Sequence, residues 1–118
     1  MKKPRDVNQI VIQKILDYCK DIESMFNQFD GSFDSYATDN AFRHSCDMCI
    51  IQIGELTTRL TDDFKAQHCE IPWHKIKATR NVYVHDYEND DINRAWENLT
   101  ENIPELKAQL EQILAAEE

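Results

Sequence analysis

Ile71-Pro72-Trp73-His74-Lys75-Ile76-Lys77-Ala78-Thr79-Arg80-Asn81-Val82-Tyr83-Val84-His85-Asp86-Tyr87 is the stretch on which the reading of this chain turns. Pro72 suits the first turn of a helix, where its missing N–H costs nothing. From His74 to about His85 neither Pro nor Gly interrupts a helical reading. At about 100° per residue, Ile76, Ala78, Thr79, Val82 and Tyr83 fall on one side, the expected core face. Lys77, Asn81 and His85 form an i, i+4, i+8 stripe roughly opposite, and Arg80 and Tyr87 lie near one flank. Four chemically capable side chains, Arg80, Asn81, His85 and Tyr87, crowd into eight residues here and nowhere else in the chain.

The flanking sequence is also helical in pattern. Over 6–29, Val7, Val11, Ile15, Tyr18, Ile22, Met25 and Phe29 step by threes and fours, and Asp6 can cap the start. Residues 30–37 read as a loop that Gly31 opens and that Phe33 and Tyr36 pin to the bundle. A second long helix is expected from about Thr38 to Leu60. Ala41, Phe42, Ser45, Met48, Cys49, Gln52, Ile53, Leu56 and Leu60 mark its inner side. Gly54 within it should cost about 1 kcal/mol relative to Ala, so another backbone, such as that of the 74–86 helix, is expected to pack against it. Residues 62–69 suit a short helix or a frayed continuation. Asp91 caps a fourth helix, and Pro104 should divide it into two pieces meeting near 101–103. Only two glycines and three prolines interrupt 118 residues. The expectation is one all-α domain over 1–118, an antiparallel four-helix up-down bundle with a short extra helix.

Composition narrows the function. No run of about 18 apolar residues exists, so no membrane span is expected. The start lacks the apolar segment of a secretory signal, so the expected setting is cytoplasmic and the four cysteines are expected as thiols. A net charge of −9 argues against a surface that coats nucleic acid. The charge is uneven, however. From Lys65 to His85, four cations (Lys65, Lys75, Lys77 and Arg80) stand against Glu70 alone, a local +3. A small phosphate site at the quoted stretch remains open.

Arginine offers a fork of N–H donors suited to phosphate oxygens, and histidine can give or take a proton near neutral pH. Together they can cleave RNA without a metal or cofactor. His85 would deprotonate the ribose 2′-OH or protonate the leaving 5′ oxygen, and Arg80 would hold the phosphate under attack. The 2′-OH as internal nucleophile separates RNA from DNA. Asn81 can orient the imidazole or bond substrate. Five positions separate Arg80 from His85, roughly 140° around an ideal helix. One straight helix therefore cannot aim both at one phosphate. Either the chain turns near His85, which the acidic run Asp86, Glu88, Asp90, Asp91 makes plausible, or a second copy supplies the missing group.

Arg80-Asn81-(x)3-His85-x-Tyr87 resembles the R-x4-H-x-Y motif of the HepT-like group of HEPN ribonuclease toxins. Ile71-Pro72-Trp73, Ile53-Gly54-Glu55, Asp91-Ile92, Trp96 and Ile103-Pro104 with Leu106 extend the likeness over roughly residues 5–115. The resemblance implies a toxin of a toxin–antitoxin pair, with Arg80 and His85 catalytic and Asn81 assisting. It also implies a homodimer whose motif helices line a shared cleft. The cognate antitoxin would be a minimal nucleotidyltransferase that transfers AMP from ATP onto Tyr87. Glu55, Lys77 and His74 are carried as supports near the site, although a solvated helix-start histidine is the plainer reading of His74.

Competing readings exist. Cys46 and Cys49 have redox or zinc spacing, and His68-Cys69 could complete four ligands; inside a helix at i, i+3 they read better as small apolar fillers. Trp73 and Trp96 read as packing, His44 and His68 as surface. A non-catalytic helical module that binds a nucleotide or a nucleotidyltransferase is the alternative function, and the −9 charge favours it.

Overall fold

A computed structural model describes residues 6–85 and 91–117. Among these the chain forms seven α-helices and one π-helical turn, with no strand. The helices are α1 (Val7–Gln28), α2 (Phe33–Thr38), α3 (Asn40–Thr57), α4 (Asp62–Gln67), α5 (Trp73–His85), α6 (Ile92–Glu97) and α7 (Ile103–Glu117). Asn98–Asn102 form the π turn between α6 and α7.

Local chemistry sets the helix ends. Asp6 and Gln9 close a capping box at α1, the Asp6 carboxylate accepting from Gln9 N at 2.8 Å. Asp39 caps α3, Thr61 caps α4 and Asp91 caps α6. The π turn answers the proline: Pro104 has no N–H to donate backwards, and just before it the Ile103 N–H reaches Asn98 O, an i→i+5 bond. The two expected pieces thus meet through a widened turn.

Contacts at both ends fix the directions. Asn8 at the start of α1 bonds Thr61 beyond the end of α3, whereas Phe26 near the end of α1 packs edge-on to Phe42 near the start of α3, with centroids 5.3 Å apart. Gln9 meets Glu117, and Lys107 meets Glu23 at 2.6 Å, so α7 also runs antiparallel to α1. With α5 laid along α3, this is the antiparallel four-helix bundle. Ile12, Ile15, Tyr36, Phe42, Cys46, Ile53 and Leu110 lie at its centre, fully buried.

Several expectations need correction. The 30–37 segment is not a loop throughout: Ser32 Oγ accepts from Ser35 N at 3.1 Å and starts α2. There are therefore two short extra helices, not one. Phe33 and Tyr36 do pin this segment, both against Trp96. Val7 (62 % exposed) and Met48 (55 % exposed) face outward, while Cys46, Asp47 and Ile50 take the inner side of α3. His68 is half-buried and packs its ring on Phe64, 4.6 Å between centroids, instead of lying on the surface. Among the described residues no helix is long and apolar enough to cross a membrane.

Candidate functional site

Helix α5 carries the site. Trp73 anchors its start, with Nε1 donating to the carbonyls of Lys65 (3.2 Å), within α4, and His68 (3.1 Å), just beyond its end. Ile76 N donates to Pro72 O at 3.1 Å, so Pro72 sits at the helix entry. From Trp73 to His85 the helix carries Lys75, Lys77 and Arg80 and no carboxylate.

The face of α5 turned to α3 is rotated from the sequence expectation. Tyr83 is buried, but Ala78 is exposed, and Ile76, Thr79 and Val82 are only half-buried. Arg80, expected on the flank, lies within the packed face. A glycine makes this possible: a methyl built on Gly54 would come within 2.8 Å of Arg80 Cγ and nearer still to its Cβ. The arginine stem therefore fills the space a larger residue at 54 would occupy, behaving as an apolar filler with a polar tip. The close approach expected at Gly54 is present, and its partner is this residue.

The guanidinium is held on two sides. Glu55, next to Gly54, forms an ion pair through Oε1 with Arg80 Nη2. Arg80 Nη1 donates to Asn81 Oδ1 at 2.6 Å. Arg80 Nε is buried and has no acceptor among the described residues. The structure thus brings Glu55, Arg80 and Asn81 together. It does not join His85 to them: the imidazole is exposed at the end of α5 and makes no hydrogen bond among the described residues. Asn81 serves the arginine here, not the imidazole. Lys77 and His74 are exposed on the same helix, His74 in its first turn. Tyr87, like Asp86, Glu88 and Asp90, lies outside the described residues.

A combined surface surrounds these groups. Helical spacing puts His44, Met48 and Glu55 on one side of α3, and Lys77, Arg80 and Val84 on one side of α5. The Glu55–Arg80 pair makes those two sides adjoin. Val84, 46 % exposed, is a large apolar side chain left in water on it, whereas Met48, 55 % exposed, borders a groove with Asp21, Ser24 and Met25 of α1. A cleft on the other side of α5 is lined by Lys75, Thr79, Tyr83, Arg94, Asn98 and Asn102, and neither Arg80 nor His85 reaches it.

The cysteines fall out of the chemistry. Burial pushes the Cys19 and Cys46 thiols up to about 12 and Cys49 to about 11. Cys69 is exposed beyond α4. Among the described residues no three His, Cys, Asp or Glu side chains gather as a ligand set. One buried polar pair went unnoticed in the sequence: Tyr36 Oη donates to Asp47 Oδ1 at 2.5 Å, tying α2 to α3. An aspartate between Cys46 and Met48 on a helix gives no sign of being inside, so only the fold reveals it.

Comparison with known proteins identifies the family. The chain matches a family model described as "Ribonuclease HepT-like" over residues 15–113. A protein of Caldanaerobacter subterraneus subsp. tengcongensis, named as a putative RNase, is 29 % identical over 118 residues, covering 99 % of both chains. The protein named probable ribonuclease HepT of Thermococcus cleftensis is 28 % identical over 102 residues, 82 % of this chain and 93 % of its own. A Methanocaldococcus jannaschii protein, again named as a putative RNase, is 26 % identical over 110 residues, 93 % and 92 % of the two chains. No solved structure gives a significant match. The bundle, the Arg80-bearing helix set against Gly54-Glu55, and a family match spanning most of the sequence lead to one statement: the chain belongs to the HepT-like ribonuclease family of HEPN proteins.

Proposed function

We propose that this protein is a metal-independent ribonuclease, the toxin of a toxin–antitoxin pair. Arg80 neutralises the scissile phosphate. The ribose 2′-oxygen attacks phosphorus, the bond to the 5′ oxygen breaks, and His85 takes the 2′ proton or supplies the one the leaving oxygen needs. The observation that carries this reading is the composition of α5, a helix without carboxylates in a chain of net charge −9. It ends in an exposed histidine and presents a guanidinium positioned from two sides.

Arg80 and His85 stand apart on one chain, so the working site is assembled by two copies. The exposed apolar Val84, one helical turn beyond Arg80 on α5, supports pairing through this surface. Relatives named as ribonucleases point to RNA as substrate. Regulation follows the family pattern: a nucleotidyltransferase antitoxin joins the Tyr87 phenol oxygen to the α-phosphorus of ATP, and pyrophosphate leaves. The added anion at the cleft would exclude RNA by bulk and by charge.

Purified protein should cleave RNA in excess chelator, and His85→Ala should abolish cleavage without altering the fold. Full activity in that variant would overturn the proposal. A non-catalytic partner module is the second reading, favoured by the ion pair that already neutralises Arg80. It predicts nucleotidyltransferase binding with no cleavage by either protein form.

A further inference from the structure

We infer that Gly54, Glu55 and Asn81 form a socket that fixes Arg80 so that the Nη1–Nη2 end of its guanidinium, and not its Nε edge, grips the phosphate. The inference rests on the ribonuclease reading and specifies how its arginine works.

The donor inventory leads there. An arginine carries five N–H groups, one on Nε and two on each Nη. Nε is buried and faces no acceptor among the described residues, so the edge most often offered to an oxyanion is closed to a ligand from solvent. Nη2 gives one N–H to Glu55 and Nη1 gives one to Asn81. One N–H then remains on each terminal nitrogen, and the side chain keeps 24 % of its surface exposed although its Nε is buried. Two parallel donors on one planar group make the two-pronged grip that phosphate favours.

Each part of the socket constrains a different freedom. Gly54 lets the Cβ–Cγ stem lie against the α3 backbone, which sets the direction in which the side chain leaves α5. Glu55 and Asn81 then fix rotation of the guanidinium plane from either side. Glu55 and Asn81 are positioning residues in this scheme: they touch the arginine, and the arginine touches the substrate. Misplacing a catalytic group by about 1 Å can cost on the order of 100-fold in rate.

The test combines side-chain nitrogen NMR of Arg80 with cleavage kinetics in the full-length protein. In wild type the Arg80 Nε–H should exchange slowly with water. Glu55→Ala should speed that exchange and lower kcat about tenfold or more, with a smaller change in KM. Glu55→Gln keeps a carbonyl acceptor for Nη2, so it should retain the slow signal and recover kcat to within about threefold. A folded Glu55→Ala protein with wild-type or raised kcat overturns the inference, as does a Glu55→Gln variant no better than Glu55→Ala. Active wild type with a fast-exchanging Nε–H refutes the socket alone. Wild type that cleaves nothing while keeping the slow signal refutes the ribonuclease reading, and the catalytic use of the socket falls with it.

Discussion

Replacing Gly54 by alanine adds one methyl group to α3, and two opposing effects decide the outcome. Alanine in a helix interior is favoured over glycine by about 1 kcal/mol. If α5 did not press on this position, the variant would be the more stable protein. The structure puts the new methyl within 2.8 Å of Arg80 Cγ and closer to Cβ, whereas carbon atoms in contact prefer about 3.5–4.0 Å. These are the two stem atoms nearest the α5 backbone, so they cannot swing away as a side-chain tip would. Either the two helices separate by roughly 1 Å or the stem takes a poor rotamer, and overpacking of this kind costs about 1–3 kcal/mol. The net expectation is a loss of about 0–2 kcal/mol, near 1, which for a chain of this size lowers Tm by about 3–6 °C. Thermal melting by circular dichroism measures it. Cleavage should fall as well, because the guanidinium leaves its place between Glu55 and Asn81. A Tm that rises by several degrees with unchanged cleavage would show that α5 does not approach α3 here.

Other expectations follow from the same structure. His85→Ala should reduce cleavage by about 100-fold or more with Tm unchanged, since the imidazole is exposed and bonded to nothing among the described residues; a large loss of stability would mean the histidine is structural. Tyr36→Phe removes the buried hydroxyl that donates to Asp47 and should cost about 1–3 kcal/mol, read from the urea midpoint; a change below about 0.5 kcal/mol would count against that bond. Three buried thiols stay protonated in the native state to about pH 11–12, while the unfolded chain releases those protons from about pH 9. The native state then binds more protons, so stability is intact below about pH 8.5 and falls as pH rises, by up to about 1.4 kcal/mol per unit for each thiol. Urea melts at pH 8 and pH 10 would reveal it, and equal midpoints would contradict it. Co-expression with the proposed nucleotidyltransferase antitoxin should add one or more AMP groups to a Tyr87-containing peptide by mass spectrometry, and a modified residue elsewhere would remove the regulatory proposal.

Much of this architecture is legible in the residues. Asp6 and Asp91 announce their helices because a short carboxylate before an apolar-periodic run has an unsatisfied N–H to meet. Pro72 and Pro104 mark an entry and a discontinuity for the same reason, a missing donor. Gly54 signals a close approach because a helix keeps such a residue only where a side chain would collide. What is not legible is the rotation of α5. Counting apolar residues centres the packed face on Ile76, Thr79 and Val82. An arginine whose stem lies in a glycine notch contributes packing that a polar residue type conceals. Helix α2 is hidden in turn by its composition: Asp30, Gly31, Ser32, Asp34 and Ser35 read as a loop, yet a serine cap and three aromatic contacts from Tyr36 and Phe33 hold six residues helical. For the site, the motif names its members but not their partners. That Asn81 serves the arginine and not the histidine is set by side-chain direction, which spacing along one helix does not supply.

In the proposed reaction the ribose 2′-hydroxyl is the nucleophile, aided by side chains alone. This is tested most directly on a short RNA cleaved in the presence of chelator, compared with the same strand carrying a single 2′-deoxynucleotide immediately 5′ of the cut. The first should be cleaved, with a 2′,3′-cyclic phosphate on the upstream product, and the bond at that position in the second should stay intact. Cleavage of both strands at the same bond, or activity that appears only when a divalent metal is restored, would contradict it.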